Sequence, residues 1–108
     1  MELKTISPER IIAAACIHFE ISEAELKSRH RYRDISYRRK ICYYLMRENC
    51  CISFERIAMH FGFRDHKRVS RAICEIEAQK HLYTHISPDL INVKNIAVNL
   101  LTKQVKNG

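Results

Sequence analysis

Along the chain, apolar residues return every three or four positions in six separate stretches, the spacing of helices that bury one face. The first stretch is Ile11, Ile12, Ala15, Cys16 and Phe19. Ser7-Pro8 precedes it and supplies an N-cap followed by proline at the first helical position, where the missing N–H costs nothing. A helix over about 8–20 is predicted. Ser22 and Glu25 stand at capping-box spacing and open a short second helix over about 23–28. A basic connector, Arg29 to Asp34, follows. The third helix, about 35–49, puts Ile41, Cys42, Leu45, Met46 and Asn49 on one face. Tyr43 and Tyr44 are adjacent there, so one is expected to pack and the other to face solvent. Ser53 starts a fourth helix over 53–61, with Phe54, Ile57, Ala58 and Phe61 inward, and Gly62 supplies the positive φ that ends it. Asp65 caps a fifth helix over 66–80 whose buried stripe is Val69, Ala72, Ile73 and Ile76, with Leu82 as a further candidate. Ser87-Pro88 repeats the cap-then-proline signal. The last helix, about 89–104, turns Leu90, Val93, Ile96, Ala97, Leu100 and Leu101 inward.

With only 2 Gly and 2 Pro, long loops and a β-rich meander are not expected, and the fold class is all-α with about six helices. A length of 108 residues and an apolar fraction of 46% fit one globular domain over 1–108. The longest nearly uncharged apolar run, Ile11 to Phe19, is too short to span a bilayer. Met1-Glu2-Leu3-Lys4 lacks the layout of a signal peptide. A soluble, cytoplasmic chain with no membrane partner is expected, nucleoid-associated in a bacterium or phage. Five cysteines are present, an odd number with no C-x-x-C. Cys50-Cys51 is a vicinal pair and, even with His60 nearby, lacks the spacing of a tetrahedral zinc site. No metal and no cofactor are expected.

Charge changes the picture more than composition does. The chain carries +7, and its cations are not spread evenly. Lys27, Arg29, Arg31, Arg33, Arg38, Arg39 and Lys40 face one acid, Asp34, in one segment; Arg64, Lys67, Arg68 and Arg71 face Asp65 in another. The remainder of the chain is slightly acidic. A basic excess confined to two segments is the footprint of a polyanion partner. A membrane surface would call for one long helix with basic and bulky apolar faces, and residues 27–34 have no such apolar stripe.

The fourth and fifth helices are joined by Gly62-Phe63-Arg64-Asp65, a short Gly-containing turn between two amphipathic helices, as in a helix-turn-helix. In such a unit the second helix enters the major groove of duplex DNA and its N-terminal residues reach base edges. Burying Val69, Ala72, Ile73 and Ile76 leaves His66, Lys67, Ser70 and Arg71 pointing outward, and these side chains suit bases and phosphates.

Gly62-Phe63-Arg64-Asp65-His66-Lys67-Arg68-Val69 resembles the signature G-G-R-D-H-T-T-V near the end of the bacterial replication initiator family DnaA. The similarity extends over about residues 8–104. Ile21 to Ser28 is similar to that family's first short helix and Lys27 to Lys40 to its basic loop, and Cys74-Glu75-Ile76-Glu77 stands where the family has R-K-I-E. The resemblance implies a six-helix fold of the Trp-repressor-like class with a recognition helix starting near His66. It implies that the residues matching Asp65, His66 and Lys67 read bases, and that an arginine matching Arg31, or its neighbour Arg33, enters the minor groove. Arg is suited to narrow, electronegative A·T-rich minor grooves. Lys67 and Arg68 replace the paired Thr, and Phe63 replaces a Gly. Thr offers a methyl to thymine, whereas Lys and Arg favour guanine or phosphate, so the docking mode is expected to carry over and the cognate sequence is not.

The expected DNA-contacting set is Arg29, Arg31, Arg33, Arg39, Lys40, Arg64, Asp65, His66, Lys67, Arg68, Ser70 and Arg71. The expected function is sequence-specific duplex DNA binding, as a small transcription regulator or a replication-associated factor. An adaptor that reuses the fold to recruit or inhibit replication or transcription machinery is the alternative, with the partly apolar segment Glu75 to Tyr83 as its surface. A homodimer through the sixth helix also stays open. An enzyme is not expected: the chain has no nucleophile elbow, no zinc spacing and no G-x-x-x-x-G-K-[ST] loop for a nucleotide.

Overall fold

A computed structural model describes residues 6–28, 33–62 and 65–107, and side chains within 6–28, 34–62 and 65–100. Six helices follow one another: α1 (Pro8–Phe19), α2 (Glu23–Lys27), α3 (Arg33–Asn49), α4 (Phe54–His60), α5 (His66–Gln79) and α6 (Ile86–Asn107), with no strand among the described residues. The local signals act as anticipated at four helix starts. The hydroxyls of Ser7, Ser22 and Ser53 accept from the N–H groups of Arg10, Glu25 and Arg56, and Asp65 accepts from the N–H of Lys67. The capping box is complete, because the Glu25 carboxylate accepts in return from the Ser22 N–H at 3.2 Å. Each such cap satisfies one of the four donors a helix start leaves open, worth about 1 kcal/mol.

α3 is the hub. It packs against α1, α2, α4, α5 and α6, while α1 also packs on α6. That position explains a departure from the sequence reading. Tyr43 and Tyr44 are both buried, at 2% and 7% exposure. A helix with one neighbour buries one face, but a helix enclosed by several neighbours buries most of its circumference. Tyr43 meets Phe61 edge-on at a ring separation of 5.0 Å. Tyr44 turns towards α5, and its hydroxyl donates to Glu77 at 2.8 Å. The whole run Ile41 to Met46 is buried. Against it pack Ile11, Ile12 and Ala15 of α1, Leu26 of α2, Ile57 and Ala58 of α4, Val69 and Ile76 of α5, and Val93 and Ala97 of α6. At about 1.5–3 kcal/mol for each large side chain buried, this shared core is the main source of stability.

Two boundaries differ from the sequence reading. α6 begins at Ile86, so Ser87 is inside the first turn and not its cap. Ile86 is buried at 2%, and the carbonyl of His85 accepts from the Asp89 N–H at 3.3 Å. Pro88 is tolerated there because first-turn N–H groups lack intrahelical partners. α6 also runs on to Asn107, since no Gly or Pro interrupts it after Pro88. Leu82, a candidate for the buried stripe, is 73% exposed: α5 ends at Gln79, and Leu82 falls on the turn beyond it. The side chain of Leu101 lies outside the described residues.

Candidate nucleic-acid interface

The α4–turn–α5 unit is set by three local features. Phe61 closes α4 by donating its N–H to the carbonyl of Ala58 at 3.0 Å. Gly62 then takes φ +78°, a conformation that costs a residue with a side chain about 1–2 kcal/mol. Asp65 takes an extended conformation and its Oδ1 accepts from the Lys67 N–H at 2.9 Å, so the carboxylate starts α5 and offsets the positive end of its dipole. Val69, Ala72 and Ile76 are buried beneath α5, which fixes its rotation. His66, Lys67, Arg68 and Arg71 are exposed on its outer side, and Ser70 is half-buried.

A groove of about 500 Å³ runs between α3 and the first half of α5. From α3 it is lined by Ser36, Arg39, Lys40 and Tyr43, and from α5 and its cap by Asp65, Lys67, Arg68, Arg71, Ala72 and Glu75. Five cations face two acids. Arg and Lys offer only donors, so such a groove suits a ligand rich in anionic oxygens.

The structure treats the expected DNA-contacting residues unequally. Asp65, Lys67, Arg68 and Arg71 are gathered on the groove, and His66 is exposed at the tip of α5. Arg29, Arg31 and Arg64 lie outside the described residues, as does the side chain of Arg33. Arg39, also expected to contact DNA, lines the groove but is largely enclosed. It is 8% exposed, and its Nη1 donates to the carbonyls of Leu26 at 3.2 Å and Ser28 at 2.7 Å. These carbonyls lie at the end of α2, where the basic connector begins. Arg39 therefore ties the end of α2 to α3. Lys40 is committed in part as well: its Nζ is 2.8 Å from Glu75 Oε1 across the groove.

Both ends of α3 are tied by polar networks that the helical periodicity does not disclose. At its start, the Tyr37 hydroxyl donates to Asp89 Oδ2 at 2.6 Å, and His18 Nε2 lies 2.9 Å from Asp89 Oδ1, joining α1, α3 and α6. Arg38 stacks over the Phe19 ring, 5.3 Å from its centroid. Burial, then the Asp89 hydrogen bond, holds the Tyr37 phenol in its protonated form well above the ordinary range. Near the far end of α5, Lys80 Nζ donates to the Tyr44 hydroxyl at 2.9 Å and pairs with Glu77 at 3.2 Å. Hydrogen bonds from Tyr44 and Lys80 hold the Glu77 carboxyl below its usual value. Tyr43, beside the groove, is pushed up to about 12 by burial, with the Arg39 charge partly opposing. The thiols of Cys42 and Cys50 are raised by burial, that of Cys50 to about 11, while Cys51 and Cys74 are exposed.

Residues 8–76 match the family model described as the bacterial dnaA protein helix-turn-helix. The chain belongs to that family. The match takes in α1 to α4, the turn and most of α5, so the groove lies within it. Among curated proteins, the chain is 34% identical over 89 residues to the chromosomal replication initiator protein DnaA of Thermomicrobium roseum, covering 82% of this chain and 19% of that protein. It is 40% identical over 75 residues to the DnaA of Microcystis aeruginosa, covering 69% and 17%. With the DnaA of a Nostoc species it shares 44% over 69 residues, covering 64% and 15%. The chain thus spans less than a fifth of the length of these relatives. This DnaA-type helix-turn-helix keeps the R-D-H core at Arg64, Asp65 and His66 and carries Lys67 and Arg68 directly after it.

Proposed function

We propose that this chain binds duplex DNA in a sequence-specific way, with the first turn of α5 in the major groove and the basic connector on the backbone and adjacent minor groove. One observation carries the reading: Lys67, Arg68 and Arg71 stand exposed along a groove-lined face of a helix whose capped start directly follows a Gly turn. That geometry supports base reading by Asp65, His66 and Lys67 and phosphate contact by Arg68 and Arg71. The biological setting that fits is a small transcription regulator or a replication-associated factor, working without nucleotide hydrolysis by these 108 residues.

The test is selection from a randomised duplex library, followed by affinity measurements on the winning duplex, a scrambled duplex and a DnaA-box duplex across a salt series. Enrichment of one motif with steep salt dependence supports the proposal. Weak binding to all three duplexes alike, or binding that ignores salt, refutes it.

A second reading, an adaptor for replication or transcription proteins, is favoured by one feature. Leu82 and Tyr83 are 73% and 52% exposed on the turn after α5, away from the basic groove. Retention of a protein partner by the variant carrying Lys67→Glu, Arg68→Glu and Arg71→Glu would favour it over DNA binding.

A further inference from the structure

The groove holds a residue whose charge opposes the proposed ligand. Glu75 lies one helical turn beyond Arg71 on α5, at the i,i+4 spacing that puts both on the same side of the helix. Its Oε1 is 2.8 Å from Nζ of Lys40, which comes from the facing side of the groove on α3. The two side chains keep 40% and 35% of their surface exposed, so the pair bridges the groove at a level a ligand can reach. Lys40 is thus paired with an acid from the opposite wall of the groove.

We infer that Glu75 masks Lys40 and so sets how many phosphates the groove engages. The inference rests on the DNA-binding reading and specifies a regulator of that same site. A duplex strand entering the groove brings phosphates towards Lys40, Arg68 and Arg71. Lys40 can meet a phosphate only by giving up Glu75, and the carboxylate then faces the phosphate unpaired. The ion pair is therefore retained, and Lys40 adds little to binding while Glu75 is present. The acid acts on the sequence-independent backbone contribution, because the groove depth at which it sits is two turns from the base-reading start of α5. Its effect on the discrimination between sequences is small, and its effect on overall affinity and salt dependence is larger.

The experiment is a double-mutant cycle read in a salt series, with Glu75→Gln, Lys40→Gln and the combined variant against wild type. Each protein is titrated with the selected duplex and with a scrambled one. Glu75→Gln should tighten binding to both duplexes about two- to fivefold, the range for releasing one exposed ion pair. It should also steepen the log–log salt slope by about 0.9, one additional phosphate contact. Lys40→Gln alone leaves Glu75 unpaired and should weaken binding up to about fivefold, and the combined variant, neutral at both positions, should return to the affinity and salt slope of wild type. Three results overturn the inference. A salt slope that Glu75→Gln steepens equally with and without Lys40 means general repulsion by an acid, not masking. Loss of affinity for the selected duplex alone means Glu75 reads a base, as acids do with cytosine. Unchanged binding by Glu75→Gln means the pair is irrelevant to DNA. Failure of wild type to bind any duplex brings down the DNA-binding reading itself, and is seen before any variant is compared.

Discussion

Arg39→Ala separates the two roles open to a cation in the basic segment. The guanidinium is 8% exposed and donates to two carbonyls, Leu26 at 3.2 Å and Ser28 at 2.7 Å. A hydrogen bond from a charged donor contributes about 1.5–3 kcal/mol, and the substitution also strands two acceptors that α2 turns away from water. The first bond is long and the Ser28 end is only partly buried, so each bond is taken at the low end, about 1.5 kcal/mol. We expect a loss of about 3 kcal/mol. For a chain of this size each kcal/mol moves Tm by about 4–5 °C, so Tm should fall by about 12–15 °C. Arg39→Lys should lose less, because both bonds come from a single nitrogen, Nη1, and an ammonium also carries donors enough for two carbonyls. Urea and thermal melts of both variants measure this directly. The reasoning fails if Arg39→Ala unfolds within about 0.5 kcal/mol of wild type, the range of an ordinary surface substitution. If DNA affinity nevertheless dropped in that stable variant, Arg39 would be a phosphate contact and not an anchor for the end of α2.

Three further outcomes follow from the same geometry. Asp65→Ala should lower stability by about 1 kcal/mol through loss of the Lys67 N–H cap, while Asp65→Asn should keep the cap; a fall in selected-duplex affinity for the Asn variant would isolate base reading from capping. Gly62→Ala should cost about 1–2 kcal/mol from φ +78° alone, since no atom lies within 4 Å of an added Cβ; a melt unchanged from wild type would place this residue outside the left-handed region. Because Tyr43 titrates near 12 in the folded state and near 10 when unfolded, stability should be intact below pH 10 and fall as the pH rises from there towards 12; absorbance of the phenolate during an alkaline titration checks that Tyr43, Tyr37 and Tyr44 ionise late, and ordinary titration of all five tyrosines near pH 10 in folded protein would contradict it.

What could be read from the sequence was mostly local. Ser7-Pro8, the Ser22–Glu25 box, Ser53, Gly62 and Asp65 each act within four residues, and each functions as anticipated. Whatever depends on a second helix was less visible. The burial of both Tyr43 and Tyr44 needs α3 to be enclosed by several helices; the unbroken apolar run Ile41 to Met46 was the signal for that. Arg39 looks by residue type like Arg38 and Lys40. Its spacing is what differs: three, four and seven residues ahead of Cys42, Tyr43 and Met46, it lies in register with the buried stripe. The start of α6 was set by Ile86 entering the core, which outweighs the Ser87-Pro88 pattern. Nothing in the periodicity pairs Lys40 with Glu75, because a contact between side chains 35 positions apart exists only once α3 and α5 are packed.

These pairings bear on how a basic protein's charge is to be counted. The two basic segments contain eleven cations. Lys27 is 2.8 Å from Glu23, Arg39 is inside the fold, and Lys40 is held by Glu75. At most eight of the eleven stand outside these contacts, among them Lys67 and Arg71 on the groove. At about 0.9 per phosphate, the log–log salt slope for duplex binding is then no steeper than about −7, whereas eleven contacts would give about −10. A measured slope near −10 would require Arg39 and Lys40 to leave their partners on binding, and the end of α2 would have to reorganise with them. A slope between about −4.5 and −7 corresponds to five to eight contacts made without that rearrangement. Under the proposed function, the engagement of Lys27, Arg39 and Lys40 lowers the backbone contribution to affinity without touching the first turn of α5.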